Sequence, residues 1–193
     1  MRSFIAVDLS KELRTKIKEI QKQFVVLEQS ERKLKFVNPW QVHQTVKFLG
    51  EVPEDNVDLI KNALSEISQK PFDIELRGVG FFPEAKLEKA RNIRVIWIGI
   101  WRGIEKLKAL QADVESKMHV LGFPFEKRFS AHTTLCRVKK PLSREEIGPI
   151  LNKIAEWRDV EVGKMHVEEL KLKKSTLTPK GPIYEDIYVK KLV

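Results

Sequence analysis

Two of the four histidines in this 193-residue chain stand in the same three-residue setting, His43-Gln44-Thr45 and His132-Thr133-Thr134. The spacing repeats as well, since His43 to His132 and Thr45 to Thr134 are each 89 residues. On an extended strand residues i and i+2 point to one face, so each motif offers an imidazole and a hydroxyl to a common surface. Histidine, with an ordinary pKa of about 6.5, can take or give a proton near neutrality. Opening a phosphodiester needs a base for the attacking water or hydroxyl, an acid for the departing alkoxide, and donors for the non-bridging oxygens. In-line displacement puts base and acid on opposite sides of phosphorus. One histidine from each half of the chain would meet that requirement without a metal.

Other chemistries fit the same residues less well. Two histidines with no partnering Asp, Glu or Cys in the motifs fall short of the three or four ligands of a zinc site, so neither a metal nor a cofactor is expected. A serine or cysteine hydrolase lacks its nucleophile elbow, and Cys136 reads as a small residue near a strand end. His119, at the end of a helix pattern, and His166, between Met165 and Val167 on a strand pattern, read as structural. Strict alternation from His43 points Val46 and Phe48 away from the cleft, which favours packing of Phe48 beneath the strand over service as a platform for a base. Lys47, Arg137 and Lys139-Lys140 follow the motifs and could contact phosphate or simply end a strand as exposed cations.

The elements that must position the motifs recur in one order. "RSFIAVDL" is a strand, and Leu13, Ile17, Ile20, Phe24 and Leu27 behind Ser10 mark one helical face. "KLKFVNPWQVHQTVKFLG" is extended, "PEDNVDLIKNALSEIS" is helical and "PFDIELRGVGFF" is a strand. The second half repeats this with "NIRVIWIGI", a helix from Gly103 to Val120, extended "FPFEKRFSAHTTLCRV", a helix opening on the capping box Ser143–Glu146, and strand-like "VEVGKMHVEELKLKKS". A charged connection, "PEAKLEKARN", lies between the copies. The expectation is an α+β fold made by internal duplication: two antiparallel sheets with flanking helices around a central cleft. Its two pseudo-symmetric lobes would span about 1–85 and about 90–193, with termini free to cross between them.

Composition bounds the setting. With 42% hydrophobic and 33% charged residues the chain can bury a core and keep a charged surface. A formal net charge of +9 attracts polyanions such as nucleic acid. One cysteine allows no internal disulfide and fits a reducing cytoplasm. "MRSFIAVDLS" has one basic residue and an apolar run broken by Asp8, which reads as neither a signal peptide nor a membrane span.

With these residues in view, the chain resembles the two-histidine (2H) phosphoesterase superfamily, and within it the bacterial and archaeal RNA 2',3'-cyclic phosphodiesterases, also known as 2'-5' RNA ligases. The likeness is carried by "RSFIAVDL", "HQTVKFLG", "RVIWIGI", "FSAHTTLCRV" and "LKKSTLTPKGPIYEDI". The resemblance implies a bilobal fold around one cleft, His43 and His132 as the catalytic pair, and Thr45 and Thr134 as phosphate ligands. It also implies Phe48 and Arg137 as residues flanking the terminal base. The second motif of the family often has proline before its histidine, where this chain has Ala131. The implied reaction hydrolyses an RNA 2',3'-cyclic phosphate to a 2'-phosphate, or joins that end to a 5'-hydroxyl. His132 is read as base and His43 as acid, and the symmetry of the motifs admits the reverse. The implied partner is RNA with a 2',3'-cyclic phosphate end, tRNA fragments among the candidates, acted on by a monomer away from membranes. A different class remains open: a non-catalytic module that holds a nucleotide or RNA end.

Overall fold

The computed structural model describes residues 1–27, 33–126, 129–179 and 181–193. Lys127 and Arg128, within the segment read as extended before the second motif, lie outside the described residues, as does Lys180. In chain order the regular elements are β1 (Arg2–Asp8), α1 (Lys11–Val25), β2 (Leu34–Phe36), β3 (His43–Glu51), α2 (Val57–Ser65), β4 (Phe72–Phe82), β5 (Val95–Arg102), α3 (Ile104–Val120), β6 (His132–Val138), α4 (Arg144–Glu156), β7 (Glu161–Val167), β8 (Glu169–Thr178) and β9 (Gly181–Lys191). Short 3-10 turns precede β3 and α2, and a third, Leu87–Lys89, lies in the charged connection.

The helices form where the apolar spacing predicts. Ser10 caps α1 by accepting the Leu13 N–H at 3.3 Å, and Leu13, Ile17, Ile20 and Phe24 are buried along one face. Burying each such side chain contributes roughly 1.5–3 kcal/mol. The capping box of α4 is present, with Ser143 and Glu146 exchanging hydrogen bonds. Leu27 falls beyond the end of α1 but packs against the core. "VEVGKMHVEELKLKKS" is two strands, β7 and the start of β8, divided at Glu168.

All pairings are antiparallel, in a four-stranded sheet of order β3-β1-β8-β9 and a five-stranded sheet of order β2-β6-β5-β4-β7. Each motif strand lies beside the first strand of its own half, β3 on β1 and β6 on β5. The halves also exchange strands. β2 and β4 join the second half's sheet, while β8 and β9 join β1. The helices cross likewise, for α1 packs on β6 and β7 and α3 packs on β3. One continuous buried core results, and the Cα atoms of β3 and β6 come within 8 Å of each other across the two sheets.

Candidate active site

Each motif strand carries a β-bulge at the same place. Ala6 pairs with Thr45 and Ile5 with Lys47, leaving Val46 as the extra residue of β3. Trp97 pairs with Thr134 and Ile96 with Cys136, leaving Leu135 as the extra residue of β6. A bulge shifts the alternation by one. Val46 and Lys47 are therefore both buried, as are Leu135 and Cys136, and the next residue returns to the face of the histidine and threonine. Phe48 is 60% exposed rather than packed beneath the strand, and Arg137, its counterpart 89 residues on, is exposed as well. The packing expected of Phe48 from strict alternation is thus corrected. So is a phosphate role for Lys47, which is 1% exposed with its ammonium group on Glu115 at 2.8 Å.

Buried partners fix the bulges. The Leu135 carbonyl accepts the Val37 N–H at 3.0 Å and the Gln21 Nε2–H of α1 at 3.0 Å, so the kinked backbone is left with no orphan acceptor there. Beside Val46, Lys47 donates to both Glu115 oxygens of α3 and to the Pro124 carbonyl.

The two imidazoles are held in matching ways. His43 Nδ1 lies 2.8 Å from the Gln41 carbonyl and His132 Nδ1 lies 2.9 Å from the Ser130 carbonyl, in each case the residue two before the histidine. A carbonyl can only accept, so each Nδ1 carries a hydrogen and each neutral ring keeps its free lone pair on Nε2. His132 Nδ1 has Ser130 Oγ at 3.2 Å as a further neighbour. The rings are also wedged between aromatics. Phe4 and Tyr184 stand 4.8 and 5.3 Å from His43 between ring centroids, and Phe82 and Trp97 stand 5.0 and 6.3 Å from His132. Gly80 makes room for the Trp97 ring, because a Cβ there would lie 2.4 Å from it. Thr45 and Thr134 are half-buried beside their histidines, and their hydroxyls have no protein partner among the described residues.

The electrostatics are not symmetric. Directly across the strands, His43 faces Asp8 and His132 faces Gly99. Asp8 in turn meets Lys171 at 3.1 Å, Lys173 at 3.0 Å and Arg14 at 3.6 Å. Burial holds both imidazoles below the ordinary histidine pKa, and their backbone hydrogen bonds oppose it. At His43 the Asp8 carboxylate also pulls the pKa up, against Lys173 and Arg14, whereas at His132 Arg137 pushes it further down. Tyr184 links the two sides: its ring is edge-on to His43, and Arg137 of the other sheet, with Arg2, lies near enough to oppose the burial that pushes its phenol pKa up.

Asp8, Gly99, Gln21 and Tyr184 are neighbours of the motif strands that the sequence did not single out. Each acts through a partner in another element, and no local pattern marks such residues. His119 and His166 lie apart from the site, His119 stacked on Phe125 at 4.2 Å and His166 on the Asp73 carboxylate at 2.7 Å. Among the described residues no three His, Cys, Asp or Glu side chains gather into a metal-ligating group, and no helix is long and apolar enough to cross a membrane.

Each of the two bulged strands presents a tautomer-fixed histidine and a threonine hydroxyl, the arrangement expected of a two-histidine phosphoesterase. The chain belongs to the LigT-like phosphoesterases, whose family model matches residues 7–97 and 100–184. An RNA 2',3'-cyclic phosphodiesterase of Methanothermobacter thermautotrophicus is 38% identical over 194 residues, covering 100% of this chain and 99% of its relative. One of the same name from Archaeoglobus fulgidus is 39% identical over 189 residues, covering 98% and 99%. Among solved structures, a Thermus thermophilus protein superposes with a TM-score of 0.76 at 30% identity, over 100% of this chain and 98% of that one. Escherichia coli LigT complexed with 3'-AMP shares the fold, with a TM-score of 0.75 at 22% identity over 99% and 97%.

Proposed function

We propose that this protein hydrolyses RNA 2',3'-cyclic phosphate ends to 2'-phosphates, and that the same site joins such an end to a 5'-hydroxyl through a 2'-5' linkage. The observation that carries the reading is the matched pair of histidines, each with Nδ1 committed to a backbone carbonyl and Nε2 left for the substrate. The names borne by the two archaeal relatives support the substrate. Thr45 and Thr134 hold the non-bridging oxygens. His132, beside Arg137 and opposite Gly99, is the neutral base; its Nε2 takes the proton of the attacking water or 5'-hydroxyl. His43, beside Asp8, is the acid; as the P–O3' bond breaks, its Nε2 proton passes to O3'. Phe48 and Arg137, returned to the cleft face by the bulges, flank the terminal base. Cyclic-phosphate fragments of tRNA are candidate substrates for a monomer in the cytoplasm, a setting that fits a chain whose one cysteine, Cys136, is buried.

The direct test is incubation in excess EDTA with a short RNA ending in a 2',3'-cyclic phosphate, the product end being read by phosphorus NMR. A 2'-phosphate is expected. Binding without turnover would instead make the cleft a nucleotide-holding module, and a 3'-phosphate would overturn the proposed leaving group.

The division of roles has its own test. The profile of kcat/KM against pH should be bell-shaped, since the base must be neutral and the acid protonated. Asp8→Asn removes the carboxylate that raises His43, so the His43 pKa falls and the acid loses its proton at lower pH. The alkaline limb should move to lower pH while the acid limb stays in place. Movement of the acid limb instead would hand the base role to His43.

A further inference from the structure

The duplication fails in one place beside the site, and the failure adds cations. β3 is an edge strand with nothing beyond it among the described residues, whereas its counterpart β6 carries an additional strand, the three-residue β2. In that pairing Lys35 lies directly opposite Arg137. Residues opposite one another in an antiparallel pair share a face, so Lys35 is on the cleft face with Arg137, His132 and Thr134. Two residues beyond Arg137 comes Lys139, whose backbone N–H bonds the Lys33 carbonyl at 2.7 Å and prolongs the pairing. Lys35, Arg137 and Lys139 are all exposed, and among the described residues none of the three has an ion pair. Like charges directly across a ladder weaken it. Buried Leu34 and the ion pair of Lys33 with Glu146 at 2.9 Å hold the short strand in place, and an anion bound over the exposed cations would relieve their repulsion.

The corresponding direction on β3 carries carboxylates, with Glu51 opposite Arg2 and 3.4 Å from the terminal ammonium. Past Phe48 that strand runs into Gly50 and Glu51, and the Phe48 N–H is taken by the Glu126 carboxylate at 3.0 Å. Of the two directions, the cationic one is along β6.

We propose that the RNA strand upstream of the cyclic end leaves the cleft across the β2–β6 edge, with its backbone phosphates held by Lys35 and Lys139 beyond Arg137. This rests on the RNA-end reading above and adds to it a direction and a preference for polymer over mononucleotide. The cyclic phosphate ends the 3' terminus, so the rest of the chain must extend to one side of the site. A cation line on that side gains affinity with each phosphate it neutralises, by releasing counterions.

The experiment compares kcat/KM for adenosine 2',3'-cyclic phosphate with that for an RNA of about ten nucleotides bearing the same end. Wild type should prefer the longer substrate, and the preference should shrink with added salt. Lys35→Glu should lower kcat/KM on the RNA by about ten-fold or more while the mononucleotide stays within about two-fold, and Lys35→Arg should behave as wild type. In Lys35→Gln/Lys139→Gln the slope of log affinity against log salt should flatten by about 1.4, two contacts at about 0.7 each for single strands. That slope is read from anisotropy of a labelled RNA ending in a 2'-phosphate, so it needs no turnover. Equal loss on both substrates, or no loss on either, would overturn the track. A wild-type protein that turns over neither substrate would overturn the phosphodiesterase reading, and the anisotropy slope would still decide the path of the RNA.

Discussion

His43→Ala and His132→Ala are each expected to lower kcat on a cyclic-phosphate RNA by roughly 10²–10⁴-fold, the contribution of a positioned acid or base. The double variant should be little worse than the poorer single, because in-line displacement fails once either proton transfer is lost and groups that act as a unit do not add. Substrate affinity should persist. Thr45 and Thr134 sit on the same strands two residues away, and their backbone placement is set by the bulges rather than by the imidazoles. Steady-state kinetics with near-unchanged KM would therefore accompany the loss. The variants should also fold, since each ring is wedged at the cleft wall by aromatics that belong to other strands. A variant retaining half the wild-type rate would remove that histidine from the mechanism.

The second large effect is on stability. Lys47 and Glu115 form an ion pair with side-chain exposures of 1% and 6%, and every ammonium hydrogen is used, on two carboxylate oxygens and the Pro124 carbonyl. Gln111 Nε2 donates to the same carboxylate at 3.1 Å. Removing one member leaves the other charge buried without a partner, which costs about 3–5 kcal/mol. Glu115→Ala should lower the thermal midpoint by roughly 10 °C for a chain of this size. Lys47→Met with Glu115→Leu should recover most of the loss, because a well-packed apolar pair avoids the desolvation of both charges. Thermal unfolding followed by circular dichroism checks both. A midpoint unchanged in Glu115→Ala would mean that water reaches Lys47 and that the inward turn of this residue is not fixed. The consequence for function is positional: the pair locks the β3 bulge, so Glu115→Ala should also weaken the placement of Phe48 in the cleft.

The bulge is also where reading the chain as a string reaches its limit. His43, Thr45, His132 and Thr134 could be singled out as candidates because an i, i+2 pattern is local and because it occurs twice at one offset. The helices were legible for the same reason: Leu13, Ile17, Ile20 and Phe24 record the face of α1 in their spacing, and Ser143 with Glu146 records where α4 begins. The orientation of Phe48 was not legible from strand alternation, since it depends on an extra residue that only pairing with β1 defines; the family resemblance alone pointed it towards a base. Lys47 shows the same limit from the other side. A lysine after a phosphate-binding motif is indistinguishable in sequence from a cation for substrate until α3 brings Glu115 to it.

The sequence by itself determined the element order and the two His-x-Thr motifs at one offset, because periodicity, capping and motif spacing are properties of neighbours along the chain. Tertiary structure alone decided how the halves interlock, with α1 beneath β6 and α3 beneath β3, and with β2 beside β6 only. It alone decided that Asp8 faces His43 while Gly99 faces His132, the asymmetry on which the proposed division of acid and base rests. Register between strands is set by which faces bury together and which bulges their buried partners can satisfy, and those partners lie far apart in sequence.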